Sequence, residues 1–322
     1  MSIKMVQFTI FAIIQLALLP LSIIEYIFAV VKVMLYSKKH GISATSTTPL
    51  TSRWILHIFG LRKDEDGTKM ITSLPHISGV GLWLMMGPSY IAYRICGYRP
   101  GLARIPEPEK APGMSFVNSR TEFFDKIMAK NIDSMNQVVF MGAGFDTRTF
   151  KYCKGKNIKV FELDKENIQN LKIKALKKAG IEHEWIAFVP IDFNQESWVD
   201  KLIENGFDTS KKTFFLWEGV TMYLEEEIIK QTLKTVVTFS GKGSVITFDF
   251  FSKALVGGEG SFLMKYYGKR VLKMTGENLE FGIDTAMNPK ENVETLLNEA
   301  GLTLGEFRLM GKTTEKRNLL EV

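Results

Sequence analysis

The chain has 322 residues, 45% of them hydrophobic, which suits one large α/β domain plus an appendage. Its two cysteines, Cys96 and Cys153, exclude a disulfide-built scaffold and suit a reducing compartment. The formal charge of +6 is lopsided: residues 1–100 hold 10 Lys+Arg against 4 Asp+Glu, and the remainder holds 31 of each, which argues against a nucleic-acid-binding face and puts the excess beside apolar N-terminal segments.

From Met5 to Ile24 no residue is charged; Pro20 lies inside the run, Glu25 interrupts it, and Tyr26–Val31 continues it. Twenty helical residues cover about 30 Å, the thickness of a bilayer's hydrocarbon. The expected element is a transmembrane anchor over residues 1–36; a cleaved signal peptide or a buried helix are the alternatives. A second uncharged run, Met70–Tyr93, contains Pro75, Gly79, Gly81, Gly87 and Pro88, poor material for a straight helix. Between the runs lie Lys38, Lys39, Arg53, Arg62, Lys63 and Lys69, and basic loops stay cytoplasmic. The expectation is one span, with the second run re-entrant or interfacial inside a membrane-proximal region 37–99; a two-span hairpin, or packing of the second run on the catalytic domain, stays open. Residues 51–61, with Arg53 and Trp54, read as an interfacial helix or one packed on its neighbours. Residues 100–113, with Pro100, Pro106, Pro108 and Pro112, read as a stiff linker and domain boundary.

Residues 114–322 alternate strand and helix patterns. Strands are expected at 138–142, 158–163, 185–191, 213–217, 243–250 and 302–309, and helices at 119–131, 165–179, 196–204, 225–239 and 289–300. That alternation predicts an α/β fold, a doubly wound, mostly parallel sheet of Rossmann-like type, with ligands beyond the carboxyl ends of its strands. The first strand runs into Gly142-Ala143-Gly144, where the backbone turns and approaches a ligand closely. Twenty-two positions past Gly142, Asp164 ends the second strand, placed to accept from ribose hydroxyls. A dinucleotide site wants a third glycine, and Thr147 stands there instead, which favours a cofactor with a ribose but no pyrophosphate, such as S-adenosylmethionine. Asp192, Glu218 and Asp249 fall at further strand ends.

Five motifs in order, Ser119-Arg120-Thr121-Glu122-Phe123-Phe124-Asp125, Gly142-Ala143-Gly144-Phe145-Asp146-Thr147-Arg148, Glu162-Leu163-Asp164, Pro190-Ile191-Asp192-Phe193 and Glu218-Gly219-Val220-Thr221-Met222-Tyr223-Leu224, resemble the leucine carboxyl methyltransferase-like family of S-adenosylmethionine-dependent O-methyltransferases. The resemblance covers about residues 114–310 and says little about residues 1–100. It implies that Arg120 pairs with the methionine carboxylate of the cofactor, with a surface arginine as the plain alternative. Gly142 and Gly144 would bring backbone amides to the same moiety, and Asp164 would take the ribose. Asp192 would accept from the adenine amine, with Phe193 beside the ring; the alternative for Asp192 is capping the helix at 196–204. Glu218 would sit near the methionine ammonium. Asp146 and Arg148 would pair with each other, cap a helix or touch cofactor.

Methyl transfer is an in-line displacement, so positioning dominates. A carboxylate acceptor is already ionised at neutral pH, whereas a hydroxyl normally needs a base. None of His40, His57, His76 and His183 falls in a motif, which favours a carboxylate or an acidic hydroxyl. Tyr223 is the candidate for orienting the acceptor, or a packing residue. Residues 251–288, with Gly257, Gly258, Gly260, Phe262, Tyr266 and Tyr267, read as a lid or an ordinary insertion. The expected partners are a membrane and an apolar small-molecule or lipid acceptor, with the catalytic domain cytoplasmic and no metal. A non-catalytic S-adenosylmethionine-binding protein and a nicotinamide-dependent oxidoreductase are the alternatives.

Overall fold

Strands without charge fill the centre of the sheet. In the computed structural model, which describes residues 3–42, 46–107, 115–258, 278–310 and 320–321, β1 (Gln137–Met141), β2 (Lys159–Asp164), β3 (Ile186–Pro190), β4 (Thr213–Trp217) and β5 (Val245–Phe248) form one parallel sheet in the order β3-β2-β1-β4-β5. The order reverses between β1 and β4, so a crevice opens beyond their carboxyl ends. Successive strand residues point to opposite faces. Val138, Phe140, Val160 and Phe214 enter one core, and Val139, Met141, Phe161 and Phe215 enter the other.

The helices are α1 (Ile3–His40), α2 (Thr48–Ile58), α3 (Glu65–Ser73), α4 (Gly79–Cys96), α5 (Phe116–Asn131), α6 (Glu166–Ala179), α7 (Trp198–Glu204), α8 (Glu226–Thr238), α9 (Lys253–Val256) and α10 (Pro289–Glu299). Apart from α9, which has no expected counterpart, those of the catalytic region begin and end within three residues of the expected positions. The expected sixth strand, 302–309, does not join the sheet. Leu302, Leu304 and Phe307 pack their side chains on the second core, and only β8 (Leu309–Met310) is strand, antiparallel to β9 (Leu320–Glu321). The alternating pattern is thus satisfied by side-chain packing without a sheet neighbour. The fifth strand is also cut short: after Phe248 the chain turns so that Asp249 faces inward, and β6 (Phe251–Ser252) pairs with β7 (Gly282–Ile283).

The N-terminal region differs most from expectation. The run 70–93 is not one straight helix, as its prolines and glycines suggest. It divides at Leu74–Ile77 into the end of α3 and all of α4, where Ser78 caps the helix start, Pro88 lies within the helix and a left-handed Gly97 closes it. Packing overrides the poor helix propensity here. Nor do residues 37–99 form a separate body across a free linker. Ile42, Trp54, Phe59, Met70 and Leu82 share the first core with Val138 and Phe140. The described part of the linker is strapped down: Asn118 Nδ2 donates to the carbonyls of Leu102 (2.9 Å) and Arg104 (2.7 Å), and Ser119 Oγ to that of Pro106 (2.7 Å). Residues 108–113 lie outside the described residues. Trp54, 2% exposed, shows α2 packed on its neighbours, not exposed at an interface.

Candidate active site

The turn after β1 is built by its glycines. Gly142 (φ +72°) and Gly144 (φ +45°) both adopt left-handed backbone. The amides of Gly142 and Ala143 donate to Leu163 O (2.8 and 2.9 Å), which welds the turn to the tip of β2. Asp164 closes the same tip: its carboxylate accepts from Gly144 N (2.6 Å) and Lys165 N (2.7 Å). Burial pushes the Asp164 carboxyl up to about 6, against the pull of these two amides. Each oxygen keeps a lone pair for a further donor.

A methyl group on Gly142 would overlap Val220 Cγ2. Alanine there also takes a left-handed conformation costing about 1–2 kcal/mol. Gly142→Ala is therefore expected to weaken S-adenosylhomocysteine binding at least tenfold. Adding Val220→Ala should restore only the part due to overlap, which titration of both variants checks.

Beside the turn lies a buried charge network. Arg120 is 7% exposed, which excludes a surface arginine; its Nη1 meets Asp249 (2.9 Å) and its Nε lies 3.0 Å from Glu218 Oε1. Arg148, wholly buried, bonds Asp125 (2.7 Å), Asp146 (2.6 Å) and Glu218. Asp146 and Arg148 thus do pair with each other, as part of this larger cluster. Arg62 holds Asp125 (2.8 Å) and Asp64, and Arg53 reaches Asp146 (3.2 Å) and the carbonyl of Phe145 (3.3 Å). Burial opposes ionisation of Asp125 and Asp146, but Arg148 with Arg62 or Arg53 holds both far below the usual carboxylate range. Glu218 is also lowered, by Arg148 and Arg120 against burial, whereas burial leaves Asp249 raised despite Arg120. Arg53 and Arg62 are therefore not membrane-facing loop charges. Nothing in the local sequence marks them or Asp64 as partners of residues some 60 to 90 positions away.

The structure brings Arg120 and Glu218 together and lines up Gly142, Gly144, Asp164 and Asp192 along neighbouring strand tips. Asp192 does not cap α7, which Ser197 caps. Its carboxylate instead accepts from Asn194 N (3.1 Å), and Ile191 N ties the segment to Asp164 O (2.9 Å). Phe193 is half-buried with its ring 6.4 Å from that of Trp217. Tyr223 is half-buried in the short 3-10 turn Thr221–Tyr223. Of the expected lid, Gly260, Phe262, Tyr266 and Tyr267 lie outside the described residues.

This set fits an amino-acid-bearing nucleoside. Arg120 Nε and Glu218 Oε1 are buried and face each other at 3.0 Å without a well-directed hydrogen bond, an ion pair that an amino-acid group could regroup around itself. A pyrophosphate fits poorly, because Thr147, at the third-glycine position, is buried and donates to Asp64 (2.8 Å).

Residues 101–237 match the family model described as leucine carboxyl methyltransferase. A Bacillus subtilis protein provisionally named an S-adenosyl-L-methionine-dependent methyltransferase is 28% identical over 193 residues, 58% of this chain and 61% of its own length. A protein of Mycobacteroides abscessus with a similar name is 30% identical over 135 residues, 41% and 45% of the two chains. The chain thus spans roughly half the length of these curated relatives. Among solved structures, magnesium protoporphyrin IX methyltransferase from Synechocystis PCC 6803 with bound SAH superposes at a TM-score of 0.39, with 11% identity over 64% of this chain and 83% of that one. Residues 101–237 are thus similar to the leucine carboxyl methyltransferase family, and both relatives carry names of S-adenosyl-L-methionine-dependent methyltransferases.

Proposed function

We propose that this chain is a membrane-associated, S-adenosylmethionine-dependent O-methyltransferase whose acceptor is apolar, a carboxylic acid before a hydroxyl compound. The observation that carries the reaction class is the glycine turn and Asp164 at the β1/β4 switch, within the matched family region. Bound there, the cofactor supplies an electrophilic methyl group. The protein's own residues orient and shield: Gly142 and Gly144 admit the methionine moiety, Asp164 takes the ribose, Asp192 and Phe193 flank the base, and Arg120 and Glu218 address the amino-acid end. Tyr223 orients the acceptor.

Two observations support an apolar acid. A cavity of about 370 Å³ lies between α1 and α4, lined by Phe28, Val31, Leu35, Leu82 and Met85 with His76 in its wall. His76 stacks on Tyr36 (4.8 Å) and lies 6.4 Å from the ring of Phe145 in the glycine turn. Burial, with Lys32 and His40 nearby, holds that imidazole down to about 4, so it is neutral at pH 7 and a weak base. An acceptor that arrives ionised needs none.

Solubilised protein incubated with a lipid extract and methyl-labelled S-adenosylmethionine should place label in the organic phase. Mild alkali should release it as methanol, the mark of an ester. Label confined to water-soluble acids contradicts the apolar reading, and alkali-stable label contradicts carboxyl methylation.

A further inference from the structure

We infer that α1 lies in the plane of one membrane leaflet, with its outward face and that of α4 forming a single lipid-seated surface, and does not cross the bilayer. This rests on the membrane reading above and replaces a spanning helix with an in-plane one.

The polarity of α1 is inverted relative to a soluble amphipathic helix. Among the described residues it is the one helix long and apolar enough to cross a membrane, over Ile3–Pro20, yet Gln7, Gln15, Ser22 and Glu25 turn toward α4 or its C-cap, while Thr9, Tyr26 and Lys32 stay exposed. Gln15 accepts from Ser89 of α4 (3.1 Å), and Ser22 donates to Leu84 O (3.4 Å). Gln7 lies against Gly97, and the carboxylate of Glu25 fills the space left by the missing side chain of Gly81, in the first turn of α4, where a helix end favours an anion. Away from those contacts Ile13 and Leu16 are 62% and 71% exposed, and Phe28 and Leu35, at the mouth of the cavity beside α4, are likewise more than 60% exposed. On α4, Val80 and Ile95 are 72% and 65% exposed. An apolar surface this extended, with Gln7, Gln15, Ser22 and Glu25 behind it, suits hydrocarbon as its neighbour.

The direction of α1 follows from α4, which lies flat on the catalytic body. Trp83 meets Trp54 (5.6 Å), and Tyr90 and Tyr93 both meet Phe59 (5.6 and 5.2 Å). Those contacts extend over ten residues of α4, about 15 Å. Both Trp54 and Phe59 belong to the first core. Since α1 runs antiparallel along α4, it follows the same surface. Its two ends are tied down as well: Phe8 and Phe11 pack on Tyr98, over which Arg104 sits, and Asn167 of α6 donates to the carbonyls of His40 and Gly41. Exposed cations stand at both ends of α1, Lys4 at one and Lys38 and Lys39 at the other. That placement suits anionic headgroups met at both ends of the helix.

The test uses the full chain in sealed vesicles with the catalytic domain outward, carrying Lys4→Cys or Lys38→Cys. Both positions are exposed, and the native Cys96 and Cys153 are buried. A membrane-impermeant maleimide should label both variants to the same extent before and after detergent. Labelling of Lys4→Cys only after detergent would establish a span, overturning the in-plane seat while leaving membrane association intact. A chain that fails to sediment with vesicles overturns the membrane reading itself. As a second readout, quenching of Trp83, 46% exposed, should be stronger with lipids brominated near the headgroup than near the bilayer centre; the reverse order contradicts the in-plane seat.

Discussion

Arg148→Met should lower stability by about 3–5 kcal/mol, the cost of leaving buried carboxylates without their partner. Asp125, Asp146 and Glu218 all converge on this wholly buried guanidinium, which also donates to Thr121 O (3.3 Å). Methionine fills similar space, so the loss reflects charge and hydrogen bonding more than a cavity. Lysine keeps the charge but cannot address three carboxylates at once, so Arg148→Lys should fall between. The sign of the pH dependence follows from the acids. Asp125 and Asp146 titrate below their ordinary value in the fold, so their stabilisation is present above about pH 4 and fades as pH falls through the acid range. The methionine variant should lose most of that acid-side slope. Chemical denaturation from pH 3 to 8 measures both effects, and a loss below about 1 kcal/mol would show that the network contributes little net stability.

The second large effect is on the cofactor. Asp164→Ala should weaken S-adenosylhomocysteine binding roughly 100-fold, about 3 kcal/mol, which is one or two hydrogen bonds to a charged acceptor. The raised carboxyl value fixes the pH dependence. With its titration near 6, Asp164 is best tolerated by the fold when protonated and becomes an ionised, partly desolvated group as pH rises through 6. Ribose hydroxyls favour the ionised form. Wild-type affinity should therefore rise from pH 5 to 7 and then level, with proton release on binding near pH 6. The alanine variant should lose that rise; an unchanged profile would remove Asp164 from the ribose.

Much of the fold was legible because it is local. Val138–Met141 and Thr213–Trp217 are short apolar runs beside turn residues, and such runs become central strands almost wherever they stand. The tip motifs were legible for the same reason, since Gly142 and Glu218 directly follow a strand and Asp164 ends one. Residues 302–309 misled because their alternation is real yet serves packing alone. Residues 79–93 form a helix despite their glycines because α4 is held by its neighbours, Gly81 lying where Glu25 of α1 packs against it. Arg53, Arg62 and Asp64 stayed hidden because a cation between apolar runs reads equally well as a headgroup ligand. Only the fold shows each closing a charge network with Asp125, Asp146 or Thr147.

The most direct test of the whole account is a calorimetric titration of solubilised protein with S-adenosylhomocysteine, run in parallel on wild type and Asp164→Ala. Saturable one-site binding by wild type, weakened roughly 100-fold in the variant, is the predicted result. Heat indistinguishable from dilution for wild type, or equal affinity in the two proteins, would contradict a nucleoside seated on the strand tips.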